Sequence, residues 1–380
     1  MKTKPRPAHR ILGRCLSGAL GQTLAQSDLP ATEAEWRNVL RRSCAHLVTP
    51  ALRWAFWEQG RISELPADVL EFIDAVYALN LEGNRHYEDQ LADLIRSLNS
   101  IGVRPVLLKG AAALVCGLYP TSGERMIADI DVLVPAPRLP EILDHLTARG
   151  YGVQSTEKEL PDPNGFETRS HHYAPLDSSD WPVRVELHVH PVHLPFVQLL
   201  TSGEIFSDAT PSLWRGGECL LPSPTHFILH NVIHAFLVNF VRGGAQLPQR
   251  QLFEFVRASQ TYGERIDWNA VKTRFDAFGC RNALRQYIAF SHAYFCFNAP
   301  PEIDIDRWNR LRVKAHLFRL DLGHPAIEWV FALLFALLIN RRRYANSLGN
   351  NPSSMKKLLT KGFYYRLYIS IIRTKQVNSI

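Results

Sequence analysis

Hydrophobic positions along the chain switch between two periods. Over residues 33–100 they recur every three or four residues, with Leu70, Ile73, Val76 and Tyr77 on one face and Leu91, Leu94, Ile95 and Leu98 on another. That spacing predicts helices. Gly102 ends the run, after which residues 103–108 predict a strand, 111–119 a helix, 129–134 a second strand, 139–149 a helix and 151–153 the start of another strand. Residues 181–190 alternate strictly: Val183, Val185, Leu187 and Val189 point one way, Arg184, Glu186, His188 and His190 the other. Alternation of this kind marks a strand with a core face and an opposite polar face. Turn formers crowd residues 161–180, with a short strand expected at 171–174. Helical spacing resumes from Pro224, with Thr225 as the expected N-cap.

These periods divide the chain into an amino-terminal helical region (1–100), an α/β core (101–222), a helical domain (223–348) and a basic amphipathic tail (349–380). The expected fold class is α/β (α+β), a small mixed sheet flanked by amino-terminal and carboxy-terminal helical segments.

Chemistry concentrates in residues 106–134, where Leu107-Leu108-Lys109-Gly110 is followed by Asp129-Ile130-Asp131-Val132-Leu133-Val134. In a strand, Asp129 and Asp131 share a face while Ile130, Val132 and Val134 enter the core. Two carboxylates side by side repel, and a divalent cation with hard oxygen ligands relieves the repulsion. Magnesium is the first expectation, since it takes one or two protein carboxylates and leaves room for substrate phosphates. Glu186 supplies a third acid from a neighbouring strand. On this reading, removing the charge of Asp131 should stabilise the cation-free protein.

The same text resembles the DNA-polymerase-beta-like nucleotidyltransferase superfamily, and within it the bacterial group described only as uncharacterised nucleotidyltransferases. The likeness is carried by Gly102-Val103-Arg104-Pro105-Val106-Leu107-Leu108-Lys109-Gly110-Ala111, Leu118-Tyr119-Pro120, Arg125, the Asp129–Val134 run, Gly150-Tyr151 and Val185-Glu186-Leu187-His188. It covers roughly the first two thirds of the chain. It implies that Asp129, Asp131 and Glu186 hold Mg2+ or Mn2+, that a nucleoside triphosphate is the substrate, and that its phosphates approach Gly110. Superfamily members often carry Gly-Ser or Gly-Gly here, whereas this chain has Gly110-Ala111. Lys109 is then expected to supply the missing phosphate contact. Arg125 is expected near the site, on a phosphate or on a catalytic carboxylate. The acceptor is undefined: a small molecule, glycan precursor, peptide or protein, with His188 and His230 as acceptor-facing residues. Alternative readings are a related phosphotransferase and a non-catalytic nucleotide- or partner-binding module.

Composition narrows the class without choosing a substrate. The chain has 380 residues, 46% hydrophobic and 21% charged, with a formal net charge of +7. A positive surface of this kind suits nucleotides, polyanions or an anionic membrane. Six scattered cysteines without a CxxC pair argue against a disulfide framework and fit a reducing cytoplasm. The basic start, 1–14, is followed by a stretch too broken by Ser17, Gly18, Gly21 and Gln22 for a secretory segment. Residues 329–339 are the longest apolar run, shorter than the roughly 20 residues a membrane span needs, and read as a buried helix. The tail interleaves basic and apolar residues, which suits peripheral contact with a membrane or a partner.

Histidines offer a rival. His226, His230 and His234 repeat at intervals of four, and His188, His190 and His193 lie close in sequence. A zinc enzyme would use such residues, but the helix lacks an HExxH arrangement. Structural or substrate-facing roles are expected instead. Asp304-Ile305-Asp306 repeats the acidic spacing without an apolar strand after it, and is read as a helix start. Glu254 is read either as a support for the site or as an exposed glutamate.

Overall fold

A computed structural model describes residues 6–153, 162–240 and 249–322. The expected helix at 329–339 and the basic tail lie outside the described residues. The described residues gather into one compact unit. Among the described residues, no helix is long and apolar enough to cross a membrane.

Four helices come first: α1 (Ala8–Ser17), α2 (Glu33–Ala45), α3 (Thr49–Glu58) and α4 (Ala67–Ser100). The last ends as its sequence dictates. Gly102 takes a left-handed φ of 74°, and the Gly102 and Val103 amides return to the Asn99 and Leu98 carbonyls at 2.8 and 2.9 Å. This double return closes the orphan carbonyls of the final turn.

The core follows as β1 (Val106–Leu107), α5 (Lys109–Val115), β2 (Asp129–Leu133), α6 (Leu139–Ala148), β3 (Tyr151–Val153), β4 (Leu176–Ser178), β5 (Arg184–His188), α7 (Ser202–Asp208), β6 (Thr210–Trp214) and β7 (Gly217–Leu221). Seven strands form one mixed sheet in the order β3-β4-β5-β2-β1-β7-β6. Strand β2 runs antiparallel to β1 and parallel to β5. The mixed sheet among helices agrees with the expected fold class. Helices α8 (Pro224–Val232), α9 (Gln249–Tyr262), α10 (Trp268–Ala277), α11 (Arg281–Phe295) and α12 (Arg307–Leu322) complete the described chain, with a π-helical stretch over Ile233–Phe240.

Several local expectations shift. The first strand is confined to Val106–Leu107, and the helix after it begins at Lys109 and stops at Val115. Residues 171–174 contribute only the bridge His172↔His188, with the real strand at Leu176–Ser178. Ser223, not Thr225, caps α8 by accepting the His226 amide at 3.3 Å. Pro224 fills the first helical position, where a missing N–H costs nothing. The Thr225 hydroxyl instead accepts from the Asp267 amide at 2.9 Å. The hairpin β6–β7 lacked a strong alternating signal: Pro211 stands in its edge strand, where a missing donor is tolerated. Asp306 does start a helix, accepting the Asn309 amide at 2.8 Å.

Helix α4 positions the two acid-bearing strands through a polar stripe. Asn80 and Asn84 donate to the Arg125 carbonyl at 3.1 and 2.7 Å. The Tyr87 hydroxyl donates to the Asp129 carbonyl at 3.3 Å. Gln90 donates to the Val183 carbonyl at 2.5 Å and accepts its amide at 2.9 Å. The starts of β2 and β5 are thus tied to one rigid helix. Beneath them, Ile130, Val132, Val185 and Leu187 are fully buried, so a one-residue slip of either strand would bury its acids.

Candidate active site

Parallel pairing of β2 with β5 sets Asp129 beside Arg184, Asp131 beside Glu186 and Leu133 beside His188. Because side chains alternate, Asp129, Asp131, Glu186 and His188 share one face. That face is roofed, which the expected polar alternation did not anticipate: His188 is fully buried and Asp131 nearly so.

Lys109 enters from β1. The Leu108 amide donates to the Asp131 carbonyl at 3.0 Å, which brings the next residue to the acids. Lys109 takes a left-handed φ of 45°, an uncommon conformation for a residue with a side chain and one that concentrates at functional sites. Its ammonium donates to Asp131 Oδ1 at 2.6 Å and lies 3.9 Å from Glu186 Oε2. Lys109 is therefore neither a solvated loop charge nor remote from the acids. At Gly110, a Cβ would lie 2.9 Å from Ile127 Cγ2, so glycine is needed there for packing.

His188 completes the arrangement. Its Nε2 stands 2.8 Å from Asp131 Oδ1 and 3.6 Å from Glu186 Oε2. An ionised carboxylate only accepts hydrogen bonds, so Nε2 carries the proton. His171, His172 and His193 gather around it, with ring centroids 3.7 Å apart for His171 and His193 and 5.3 Å for His172 and His188. Burial and these neighbouring rings push His171 down to about 2. His171 and His172 joined the site without an obvious sequence signal.

The acids respond in opposite directions. Burial opposes ionisation of Asp131, yet Lys109 and the His188 hydrogen bond outweigh it and hold its carboxyl well below the usual range. Glu186 is lowered through the His188 hydrogen bond, against burial and the Asp131 charge. Asp129 is raised, by burial first and then by Glu186 and Asp131. It is therefore Asp129, rather than Asp131, on which repulsion prevails, with Lys109 and Arg184 only partly offsetting it. Because its charge already has two partners, neutralising Asp131 should cost stability, the opposite of the gain expected from the sequence.

Among the described residues, Asp131, Glu186 and His188 are the group whose ligand atoms converge within 4.8 Å. The two carboxylates suit a divalent cation, which His188 could join only by giving up its Nε2 proton, and the Lys109 ammonium shows that the spot accepts positive charge. Asp129 flanks the trio on the same strand face.

Arg125 does not reach the acids of β2. It is buried against Glu254 on α9, with Nε 2.6 Å from Oε2, and the Tyr119 hydroxyl donates to the same oxygen at 3.1 Å. Glu254 is correspondingly buried rather than exposed. His230 lies on α8 beside a cleft that also includes Lys109 and Arg125.

A lysine turn facing acids on adjacent parallel strands of a mixed sheet makes this an α/β site with a candidate place for a cation. The chain belongs to the family described as uncharacterised nucleotidyltransferase, whose model matches residues 32–296. That span contains all seven strands and every site residue named above. No curated protein matches the chain.

Proposed function

We propose that this protein is a nucleotidyltransferase of the DNA-polymerase-beta-like superfamily, moving a nucleoside monophosphate from a nucleoside triphosphate to an acceptor hydroxyl or phosphate and releasing pyrophosphate. The observation that carries the reading is the register Asp131↔Glu186, with Asp129 on the same strand face and Lys109 against Asp131.

In this reading Asp131 and Glu186, with Asp129 beside them, hold Mg2+ or Mn2+. The bound cation would neutralise charge on the transferring phosphoryl group and acidify the acceptor. His188 fixes the orientation of Asp131 through its 2.8 Å hydrogen bond, as partners of ligating carboxylates do. Lys109, which now donates to Asp131, would be the residue to donate to a phosphate oxygen. Gly110 lets the backbone approach that phosphate. Arg125 acts by holding α9 against the site through Glu254. We also place the reaction in the cytoplasm, whose reducing conditions suit six scattered cysteines.

The test is a screen of the four nucleoside triphosphates with Mg2+ or Mn2+, following pyrophosphate release and mass gain on added acceptors. A gain matching one nucleoside monophosphate supports the reading. A gain matching a single phosphate, with the nucleoside diphosphate released and no pyrophosphate, would replace it with a phosphotransferase.

A further inference from the structure

Behind the Lys109 turn, where α8 and α9 approach it, lies a cleft of about 50 Å³. Pockets that enclose whole small molecules begin at roughly 300 Å³, so this one admits a chemical group. Its walls include Lys109, Arg125, His230, His234, Arg250 and Glu254. Their charges do not balance. Lys109 is engaged by Asp131 and Arg125 by Glu254, which leaves Arg250. Its Nη1 donates to the Met126 carbonyl at 3.1 Å, and among the described residues no carboxylate pairs with it. Burial, reinforced by Arg125, lowers its pKa to about 10 against the pull of Glu254. A half-buried guanidinium without an anion is costly unless a ligand supplies one.

A second observation comes from α8. His230 is 6% exposed, and its Nε2 is buried without a hydrogen-bond partner. The Pro191 backbone lies on the other side of its ring. With the proton on Nδ1, a neutral ring presents Nε2 as an acceptor. Burial, and then Lys109 and His188, push the ring down to about 3, so it stays neutral at physiological pH. The cleft therefore offers a forked cationic donor and a lone acceptor. A phosphate-type group that also bears a hydroxyl satisfies both.

We propose that this cleft is an oxyanion subsite, in which Arg250 pairs with a phosphate-type group and His230 Nε2 accepts from a hydroxyl on or beside it. The choice of phosphate over carboxylate rests on the nucleotidyltransferase reading. The group belongs either to the nucleotide or to a phosphorylated acceptor.

The experiment is calorimetric titration of the full chain with inorganic phosphate and with pyrophosphate, in a chelator that removes divalent cations. This binding needs no catalysis, so failed nucleotidyl transfer and a failed subsite remain distinguishable. We expect saturable binding that weakens by at least about ten-fold in Arg250→Met, and by a smaller factor in His230→Gln. Where Arg250→Met loses its thermal transition, Arg250→Lys keeps the charge without the fork and should still weaken binding several-fold. Absence of saturable binding to the unaltered protein, or unchanged affinity in a folded Arg250 variant, overturns the proposal. A non-hydrolysable nucleoside triphosphate that displaces phosphate assigns the subsite to the nucleotide; simultaneous binding assigns it to the acceptor.

Discussion

At the joint between residues 119–126 and α9, both acids have a cation of their own, Arg125 for Glu254 and Arg257 for Glu124, and Arg250 is left over. On the face shared by β2 and β5, three carboxylates draw on one ammonium and one imidazole. Both regions bury acids, yet two of those acids move in opposite directions. Glu124 is pushed up to about 7 by burial, which Arg257 only partly offsets. Asp131, comparably buried, is held low because Lys109 and His188 both reach it. The acids of the joint are matched by its own cations, whereas the strand face keeps negative charge in excess. Stoichiometric pairs hold structure together; a surplus prepares a place for a ligand cation.

The largest effect should follow from removing the surplus at its centre. Asp131→Asn is expected to lower nucleotidyl transfer by at least about a thousand-fold, since cation stabilisation of a phosphoryl transition state is worth several kcal/mol. It should also lower the melting temperature of the cation-free protein, because it strips the partner from Lys109 and His188. Pyrophosphate release and thermal denaturation check the two halves. Full turnover by a folded variant would remove Asp131 from the chemistry.

At the joint the expected loss is in stability. Arg125→Met leaves Glu254 buried without its cation, a change that costs about 3–5 kcal/mol in comparable buried pairs. Urea denaturation should show that loss, and Arg125→Met with Glu254→Gln should recover much of it. A cost below about 1 kcal/mol, with weakened nucleotide binding, would return Arg125 to the phosphate role that its position before β2 suggested.

How far the sequence discloses this contrast depends on whether a residue's partner lies within reach of a periodic pattern. Asp129, Asp131 and Glu186 were legible because strand alternation alone fixes their face. Their register was not, because it depends on α4, where Asn80, Asn84, Tyr87 and Gln90 form a polar stripe that hydrophobic periodicity passes over. Arg250 and Glu254 stand four apart on α9, a spacing that suggests a local pair. The fold gives Glu254 to Arg125 instead, 129 residues away, and only three-dimensional packing reveals the guanidinium left over. Strand alternation marks His188 only as polar and outward; its burial comes from the histidines of 171–193 that cover the face.

The pH dependence of the two regions should also diverge. A carboxyl raised in the folded state contributes stability that is full below its unfolded pKa and is lost as pH rises through the folded value. For Glu124, raised to about 7, the window runs from roughly pH 4.3 to 7. The unaltered protein should lose stability relative to Glu124→Gln across that window, by about 4 kcal/mol at most. Asp131 is lowered, so its contribution is present above the unfolded value and fades only in acid. The stability difference between the unaltered protein and Asp131→Asn should stay flat from pH 5 to 8. Paired unfolding curves across this range test both signs, and parallel slopes for the two substitutions would erase the contrast.

The smallest effect is the most specific to the strand face. Asp129 has its pKa raised by burial and by Glu186 and Asp131, and its carboxylate receives no hydrogen bond among the described residues. Neutralising it should therefore stabilise the cation-free protein at pH 7, the reverse of Asp131→Asn on the same strand. Asp129 is half-exposed, so solvent screening should keep the gain below about 1 kcal/mol. Adding Mn2+ should reverse the order: the unaltered protein gains melting temperature with cation concentration, whereas Asp129→Asn gains less because one ligand is gone. Differential scanning calorimetry with and without Mn2+ resolves the crossing. A destabilised Asp129→Asn in chelator would mean that the charge has a partner on the protein, and that the surplus on this face is smaller than the three acids suggest.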